Sequence, residues 1–256
     1  MAVNMFNDSI TSTISFYINM SARNMYSSLE KLSSGFKINS AADGPADLTI
    51  SEQLRSQIAS LNQEIENTNN LMYKYETASG YLSGYRSQLT ELRTLAVGAA
   101  NEGFNSEDAQ QAYATAAESM VNYYNDAVSN AQYNGAALFD GGERSLGELA
   151  ALEGIDLSSA EAAEASIEII DRAAREVDAL QVQIGSTQRH QLESHLSSLR
   201  ITSQNLQAAE STLRDTDYAM EFSNFMAQQI KFNAGLALLS YANLSSSTVL
   251  GLIKSS

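Results

Sequence analysis

Two histidines, His190 and His195, are the side chains of this sequence best suited to metal binding or acid–base catalysis. They lie five positions apart in the segment RHQLESH, with Glu193 between them. A helical zinc site of the protease type needs histidines four positions apart and a glutamate directly after the first. Neither condition is met, so we predict no metal site and expect both histidines on a solvated or interfacial surface.

Carboxylates are the most abundant reactive groups, and some, such as Asp215 and Asp217, fall close together. On helices such pairs usually form solvated faces unless the fold builds a pocket around them. The sequence contains no cysteine, which excludes disulfides, thiol catalysis and thiolate-bound metals. The pair Gly141 and Gly142 lacks the lysine and the spacing of a phosphate-binding loop. We therefore predict that the chain is not an enzyme and binds no cofactor.

The overall charge bears on which partners the chain can bind. It carries 15 basic and 30 acidic residues, a formal net charge of −15. A field of this sign repels phosphates, so we expect no nucleic-acid partner. The most apolar stretch, residues 232–244, is interrupted by polar residues, and we expect no membrane partner. The N-terminal residues lack the basic and apolar regions of a cleaved signal peptide, so export requires another route.

The elements that position these residues are predicted to be helices. Apolar residues recur at alternating spacings of four and three, which marks a stripe on one helix face and, over several heptads, a coiled-coil seam. The single proline, Pro45, permits long uninterrupted helices. A turn is predicted at 101–106, and residues 143–166 are undecided, with a short helix and turn as one option. The predicted helices span residues 10–36, 46–100, 107–131 and 160 to near the C-terminus, the last with expected irregularities at Gly185 and Gly235.

The second predicted helix is the longest, roughly 80 Å at about 1.5 Å per residue. Asp43 is predicted to cap its N-terminus, with Pro45 in its first turn. Its seam weakens near Gly80 and Gly84, where we expect looser packing or a change of register. The seam comprises Leu54, Ile58, Leu61, Ile65, Thr68, Met72, Tyr75, Ser79, Leu82, Arg86 and Leu89.

The other helices carry stripes of the same kind. Beyond Asp217 the stripe widens, which predicts burial of the last helix on several sides. The first helix presents Ile10, Ile14, Ile18, Ala22, Met25, Leu29, Leu32 and Phe36, and the third presents Ala109, Ala112, Ala116, Met120, Tyr123 and Ala127.

These patterns predict an all-α fold with little or no β structure: an elongated antiparallel helical bundle or coiled coil formed by the N- and C-terminal helices. The terminal helices carry more apolar surface than one paired helix can hide, which predicts self-association. The alternative is that the two terminal helices simply bury their stripes against each other.

Several segments, taken together, resemble bacterial flagellins. LSSGFKINSAADGPADLTISEQLRSQI at 32–58, ELRTLAVGAAN at 91–101 and QYNGAALFDG at 132–141 are similar to the N-terminal part of that family. LQAAESTLRDTDYAMEF at 206–222 and QQIKFNAGLALLSYANLSSSTVLGLI at 228–253 are similar to its C-terminal part. The ordered resemblance covers roughly residues 1–142 and 167–256.

The resemblance implies a structural subunit that polymerises into the extracellular bacterial flagellar filament for swimming motility. Flagellins leave the cell through the flagellar type III apparatus without a cleaved signal, and their termini order on assembly. Carried over, residues 1–44 and 216–256 form the inner core, and residues 45–215 form the outer helical shell with a short irregular segment at 143–166. A hook–filament junction protein is the alternative.

The family match also implies roles for individual residues. Those expected to assemble the inner core are Ile10, Ile14, Ile18, Met25, Leu29, Phe225, Ile230, Leu236 and Leu239. Those expected to form the connector between the shells are Asn39, Ser40, Asp43, Arg214, Asp215 and Asp217.

The same resemblance implies the partners: further copies of the chain in a helical polymer, an export chaperone on the C-terminal helix, and hook-associated and cap proteins. The chain departs from the family at Glu91 and Leu92, where flagellins seen by the vertebrate innate receptor carry a basic and a small apolar residue. This charge reversal predicts weak recognition by that receptor. A membrane-binding coiled-coil translocator or adhesin and an enzyme are the rival classes.

Overall fold

Helices form nearly all of the regular structure in the computed structural model, which describes residues 2–101 and 105–254, with side chains at 9–101 and 105–244. The all-α prediction with little β structure is confirmed. The helices are α1 (Ala2–Ser34), α2 (Pro45–Ala99), α3 (Glu107–Ser129), α4 (Ala160–Ser186), α5 (Glu193–Arg214) and α6 (Tyr218–Lys254), and the strands are β1 (Gln132–Tyr133) and β2 (Ala136–Ala137).

The helical bounds follow the prediction to within two residues from residue 34 to residue 186, but α1 begins at Ala2, eight residues before its predicted start at Ile10. Beyond residue 186, the irregularity predicted at Gly185 is present as a π-helical turn at Thr187–Leu192 between α4 and α5. The one predicted at Gly235 is absent, since α6 continues through it, and the break at 215–217 between α5 and α6 was not predicted. The predicted turn at 101–106 falls partly outside the described residues. The contacts between residues divide the chain into two compact units. The first comprises Met1–Ser60 and Ser203–Ser256, and the second comprises Leu61–Thr202.

In the first unit α1 and α6 pack as an antiparallel pair. A Cβ added at Gly235 would lie 2.7 Å from Ile18 Cγ1, and one added at Gly35 would lie 3.0 Å from Tyr218 Oη. These two close approaches fix the register. The buried or half-buried positions then follow the heptad spacing on both helices: Ile14, Ile18, Ser21, Met25, Ser28 and Leu32 on α1, and Glu221, Phe225, Gln228, Phe232, Gly235 and Leu239 on α6.

The seam of α1 departs from the predicted stripe at Ala22 and Leu29, Ile10 is exposed, and Phe36 lies beyond the end of the helix. Ser21 and Ser28 are buried in place of the more apolar Ala22 and Leu29. The register places Ser28 level with Phe225, so a small side chain on one helix leaves room for a large one on the other. A prediction of the seam residues from hydrophobicity alone therefore misses both serines.

The core of the second unit is built around residues 75–99 of α2, with α3 and α4 packed on it. The Tyr85 hydroxyl donates to the Ala127 carbonyl oxygen at 2.7 Å, and its ring meets Tyr124 edge-on at 5.5 Å between centroids. Burial raises the pKa of Tyr124 to about 12 and that of Tyr85 still further. The predicted face of α3 is shifted, since Ala117 and Tyr124 are buried whereas Ala112 and Tyr123 are exposed.

Residues 138–159 form no helix, although Leu149, Leu152 and Leu157 are buried. Side chains of α3 supply the hydrogen bonds that a helix would otherwise supply internally. The Asn125 amide exchanges two bonds with the backbone of Leu152, at 2.8 and 3.1 Å, and Gln110 Nε2 donates to the Leu157 carbonyl oxygen at 2.9 Å. The sequence left a short helix and turn as one option for this segment, and that option is therefore wrong for residues 143–159.

A two-residue turn at Asn134–Gly135 joins β1 to β2, which pair antiparallel. Both turn residues have positive φ, +50° and +75°, as a type I′ turn requires. This hairpin is the small β component of the fold.

Candidate assembly surface

The segment after α1 returns alongside the end of α5, so that residues 35–37 pair with residues 214–216. Lys37 N donates to the Arg214 carbonyl oxygen at 2.8 Å, and Thr216 N donates to the Gly35 carbonyl oxygen at 2.9 Å. Phe36 and Asp215 thereby form an antiparallel bridge. Lys37 Nζ adds a bond of 2.9 Å to the Thr212 carbonyl oxygen, in the last turn of α5.

The Arg214 side chain contacts two other segments at this point. Its Nη1 lies 2.9 Å from Glu52 Oε1 on α2, and its guanidinium carbon stands 4.6 Å from the centre of the Phe36 ring. The side chain is only 12% exposed. Arg214, at the end of α5, therefore contacts both the segment after α1 and the start of α2. The prediction named Arg214 but missed Phe36 and Glu52, because neither partner is marked by sequence spacing.

Asp43 organises the turn that precedes α2. Its carboxylate accepts from Ser40 N at 2.8 Å, from Ser40 Oγ at 2.9 Å and from Asn39 N at 3.1 Å. These bonds, the Ser40 amide first, hold the pKa of Asp43 below its usual value. The predicted role of Asp43 as the cap of α2 is wrong, because its carboxylate turns back to the preceding residues. The Gly44 carbonyl oxygen accepts from Leu48 N instead, and Pro45 begins the helix as predicted.

Asp215 and Asp217 end one helix and start the next. Asp215 accepts a bond from the Ser211 hydroxyl at the end of α5. Asp217 Oδ1 accepts from Ala219 N at 2.9 Å and from Met220 N at 3.1 Å, so it is the N-cap of α6. The sequence signal for this break was Asp217 at the point where the apolar stripe widens.

The nine predicted inner-core residues divide by exposure. Ile18 is buried in the α1–α6 seam, and Ile14, Met25, Phe225 and Leu239 are half-buried there. The remaining four, Ile10, Leu29, Ile230 and Leu236, are exposed, with Ile230 at 64%. The structure thus brings five together within one chain and leaves four on the surface.

Further large apolar side chains lie on the outside of the same helix pair. Phe16, Tyr17 and Tyr26 are exposed on α1, and Met220, Phe222, Leu238 and Tyr241 are exposed on α6. A groove of about 470 Å³ runs between the helices, lined mainly by apolar side chains such as Ile14 and Leu238. An apolar surface of this extent is typical of an interaction site and costs free energy while it faces water. We call these exposed apolar side chains of α1 and α6, together with the groove between the two helices, the α1–α6 surface.

Across the described residues, no three His, Cys, Asp or Glu side chains are grouped so that they could hold a metal ion. His190 is exposed, and His195 Nε2 lies 3.1 Å from Glu64 Oε1, both side chains being half exposed. None of the helices, over the part of the chain described, is both long and apolar enough to cross a membrane.

Two family models match the chain. Residues 7–144 match the bacterial flagellin N-terminal helical region, and residues 167–253 match the bacterial flagellin C-terminal helical region. The flagellin of Halalkalibacterium halodurans is 34% identical over 247 residues, covering 88% of this chain and 90% of that protein. Flagellin FlaB1 of Treponema pallidum is 29% identical over 262 residues, covering 88% and 91%. A crystal structure of Bacillus cereus flagellin aligns with a TM-score of 0.44 at 19% identity, covering 52% of this chain and 88% of that one.

Proposed function

Because this chain belongs to the bacterial flagellin family, we propose that it is a structural subunit of the extracellular flagellar filament and that it polymerises through the α1–α6 surface. The observation that carries this proposal is the exposure of large apolar side chains on both terminal helices of a chain with net charge −15. Such a charge keeps free monomers apart, so the apolar surface provides the specific attraction.

Assembly on this account couples helix ordering to burial. Ordering a residue costs about 1–2 kcal/mol of backbone conformational entropy, which the α1–α6 seam alone offsets poorly. Full burial of one exposed Ile, Leu or Phe against a neighbouring copy contributes about 1.5–3 kcal/mol. Ile10, Leu29, Ile230 and Leu236 are the predicted residues that gain this burial. Repetition of the contact without ring closure gives an open helical polymer.

We assign residues 1–44 and 216–256 to the inner core of the polymer and residues 45–215 to its outer shell. The interactions of Arg214 with Glu52 and Phe36 support a connector role for 35–44 and 214–217, since they join the ends of α1, α2 and α5. Asn39, Ser40, Asp43, Asp215 and Asp217 close the turns on either side.

The same surface suits the transient partners that a filament subunit needs. An export chaperone would mask the exposed apolar residues of α6, such as Ile230 and Leu238, before assembly. Hook-associated and cap proteins would cover them at the filament ends. We infer no enzymatic activity, since flagellins are structural proteins. Glu91 is exposed and Leu92 is buried on α2, which supports weak recognition by the vertebrate innate receptor.

Seeded assembly tests the proposed function. Purified full chain is added to filament fragments beside a chain that lacks residues 217–256, and growth is followed by electron microscopy. We expect long filaments from the full chain and none from the truncated one. A full chain that caps the fragments without elongating them would favour a junction protein, and a full chain that stays monomeric with every seed would contradict polymerisation.

A further inference from the structure

The methionine side chains are the groups of this protein that an oxidant modifies most readily. The chain contains eight methionines and neither cysteine nor tryptophan, so no thiol or indole competes with their sulfur atoms for the oxidant. Peroxides convert a methionine thioether to the sulfoxide, which replaces a flexible apolar side chain by a polar one. A sulfoxide therefore matters most where a methionine belongs to an apolar contact surface.

The methionines that are exposed lie on the two helices that carry the α1–α6 surface. The structure describes the side chains of six methionines. Met20 on α1 is 41% exposed, and Met220 and Met226 on α6 are 61% and 39% exposed. The remaining three, on α1, α2 and α3, are half-buried: Met25, Met72 and Met120.

The exposed methionines have apolar residues of the α1–α6 surface as neighbours. Met20 lines the groove between α1 and α6 together with Leu238. Met226 lies one helical turn after Phe222 and one turn before Ile230, and all three side chains are exposed. A spacing of four residues places them on one face of α6. Burial of this face against another apolar surface therefore also buries the methionine sulfur.

Oxidation of these side chains is a two-electron oxygen transfer. The O–O bond of hydrogen peroxide breaks, an S–O bond forms on the methionine sulfur, and the second oxygen leaves as water. The sulfur loses two electrons and the peroxide gains them. The new oxygen is a hydrogen-bond acceptor that water satisfies on the free chain. In an apolar contact it has no donor, so its burial costs free energy.

We propose that Met20, Met220 and Met226 are oxidation sites and that their sulfoxides prevent polymerisation of the chain. This inference rests on the proposed function, which buries the α1–α6 surface in the polymer. The free chain exposes all three side chains to the oxidant, whereas assembly covers them. Oxidation therefore acts before assembly, and methionine sulfoxide reductases reverse it by oxidising two thiols to a disulfide and releasing water.

Peroxide treatment of the full chain before seeded assembly tests the proposal. Peptide mass spectrometry should find sulfoxide at Met20, Met220 and Met226 earlier than at Met72 and Met120. Elongation by the oxidised chain should be slower by about tenfold or more, because each buried sulfoxide lacks a donor. The two classes of sulfoxide reductase, supplied with dithiothreitol, should restore elongation, since each class reduces one sulfoxide epimer.

The finished polymer provides a second measurement on the unsubstituted chain. The three exposed methionines should be oxidised at least about tenfold more slowly in the polymer than in the free chain, because their burial excludes the oxidant. Equal rates of oxidation in the two states would overturn the proposal. Undiminished elongation by a chain that carries the three sulfoxides would overturn it as well.

Leucine substitution assigns the effect to particular methionines, since leucine nearly conserves volume and has no sulfur. Each variant is compared with its own untreated protein, so that any effect of the substitution on assembly cancels. The triple variant Met20→Leu, Met220→Leu and Met226→Leu should elongate equally with and without peroxide. The control variant Met72→Leu and Met120→Leu should slow on treatment as the parent does.

The remaining methionines are common to both variants, so their oxidation affects both alike. A triple variant that peroxide slows as much as the control would overturn the assignment. An untreated parent chain that forms no polymer would refute the proposed function, and this inference with it. A parent chain that polymerises at the same rate before and after complete oxidation would refute this inference alone.

Discussion

Arg214 links three segments through one side chain, since it pairs with Glu52 and packs over Phe36 while nearly buried. Arg55 pairs with the same Glu52 carboxylate at 3.2 Å, but both side chains are 55% exposed. Arg214→Ala should lower the free energy of unfolding in urea by about 1–3 kcal/mol, the range for a charge-assisted hydrogen bond. Arg55→Ala should change it by less than about 0.5 kcal/mol. Equal effects of the two substitutions would contradict the linking role of Arg214.

The turn held by Asp43 should depend on pH. Its pKa is lowered in the folded chain by bonds from Ser40 and Asn39, so its contribution to stability is complete above the unfolded pKa of about 3.9 and is lost as pH falls through the folded value. Asp43→Ala should therefore be less stable than the parent chain at pH 7. The difference should shrink below about pH 4, as urea unfolding at several pH values would show. A difference that stays constant down to pH 2 or so would show that the charge of Asp43 is irrelevant.

At the scale of the helices, the close contact of Gly235 with Ile18 sets the α1–α6 pair. Gly235→Ala should overpack this contact and lower the stability of the polymer by about 1–3 kcal/mol per subunit. Gly185→Ala is the matched control, because its added methyl group enters open space and should stabilise its helix by up to about 1 kcal/mol. The midpoint of heat-induced depolymerisation measures both. A midpoint unchanged by Gly235→Ala would mean that α1 and α6 are not paired in this register.

Periodicity predicted the individual helices well and their interruptions poorly. Every predicted seam position of α2, from Leu54 to Leu89, is buried or half-buried, because a long heptad pattern is a strong helical signal. The break at 215–217 was missed because Asp217 acts as a cap only once its neighbours leave the helix. The burial of Ser28 was missed because shape complementarity depends on the partner helix. In the connector, residue types indicated Arg214, but only the fold identifies its partners.

For the whole molecule, the central property is an apolar surface on a highly acidic chain. Ile230→Asp places a charge on the α1–α6 surface at a side chain that makes little contact within the monomer. We expect it to abolish seeded polymerisation while leaving the circular dichroism of the monomer unchanged, because an unpaired charge cannot be buried cheaply. Val182→Asp is the control: Val182 is 72% exposed on α4, outside this surface. Polymerisation by Ile230→Asp at the parental rate would place the assembly contact elsewhere.

Electron cryo-microscopy of the polymer tests the account most directly. It predicts α1 and α6 in the innermost layer, with Ile10, Leu29, Ile230 and Leu236 buried against neighbouring copies. Density in which these four side chains face solvent, or in which α1 and α6 lie on the outer surface of the polymer, would contradict it.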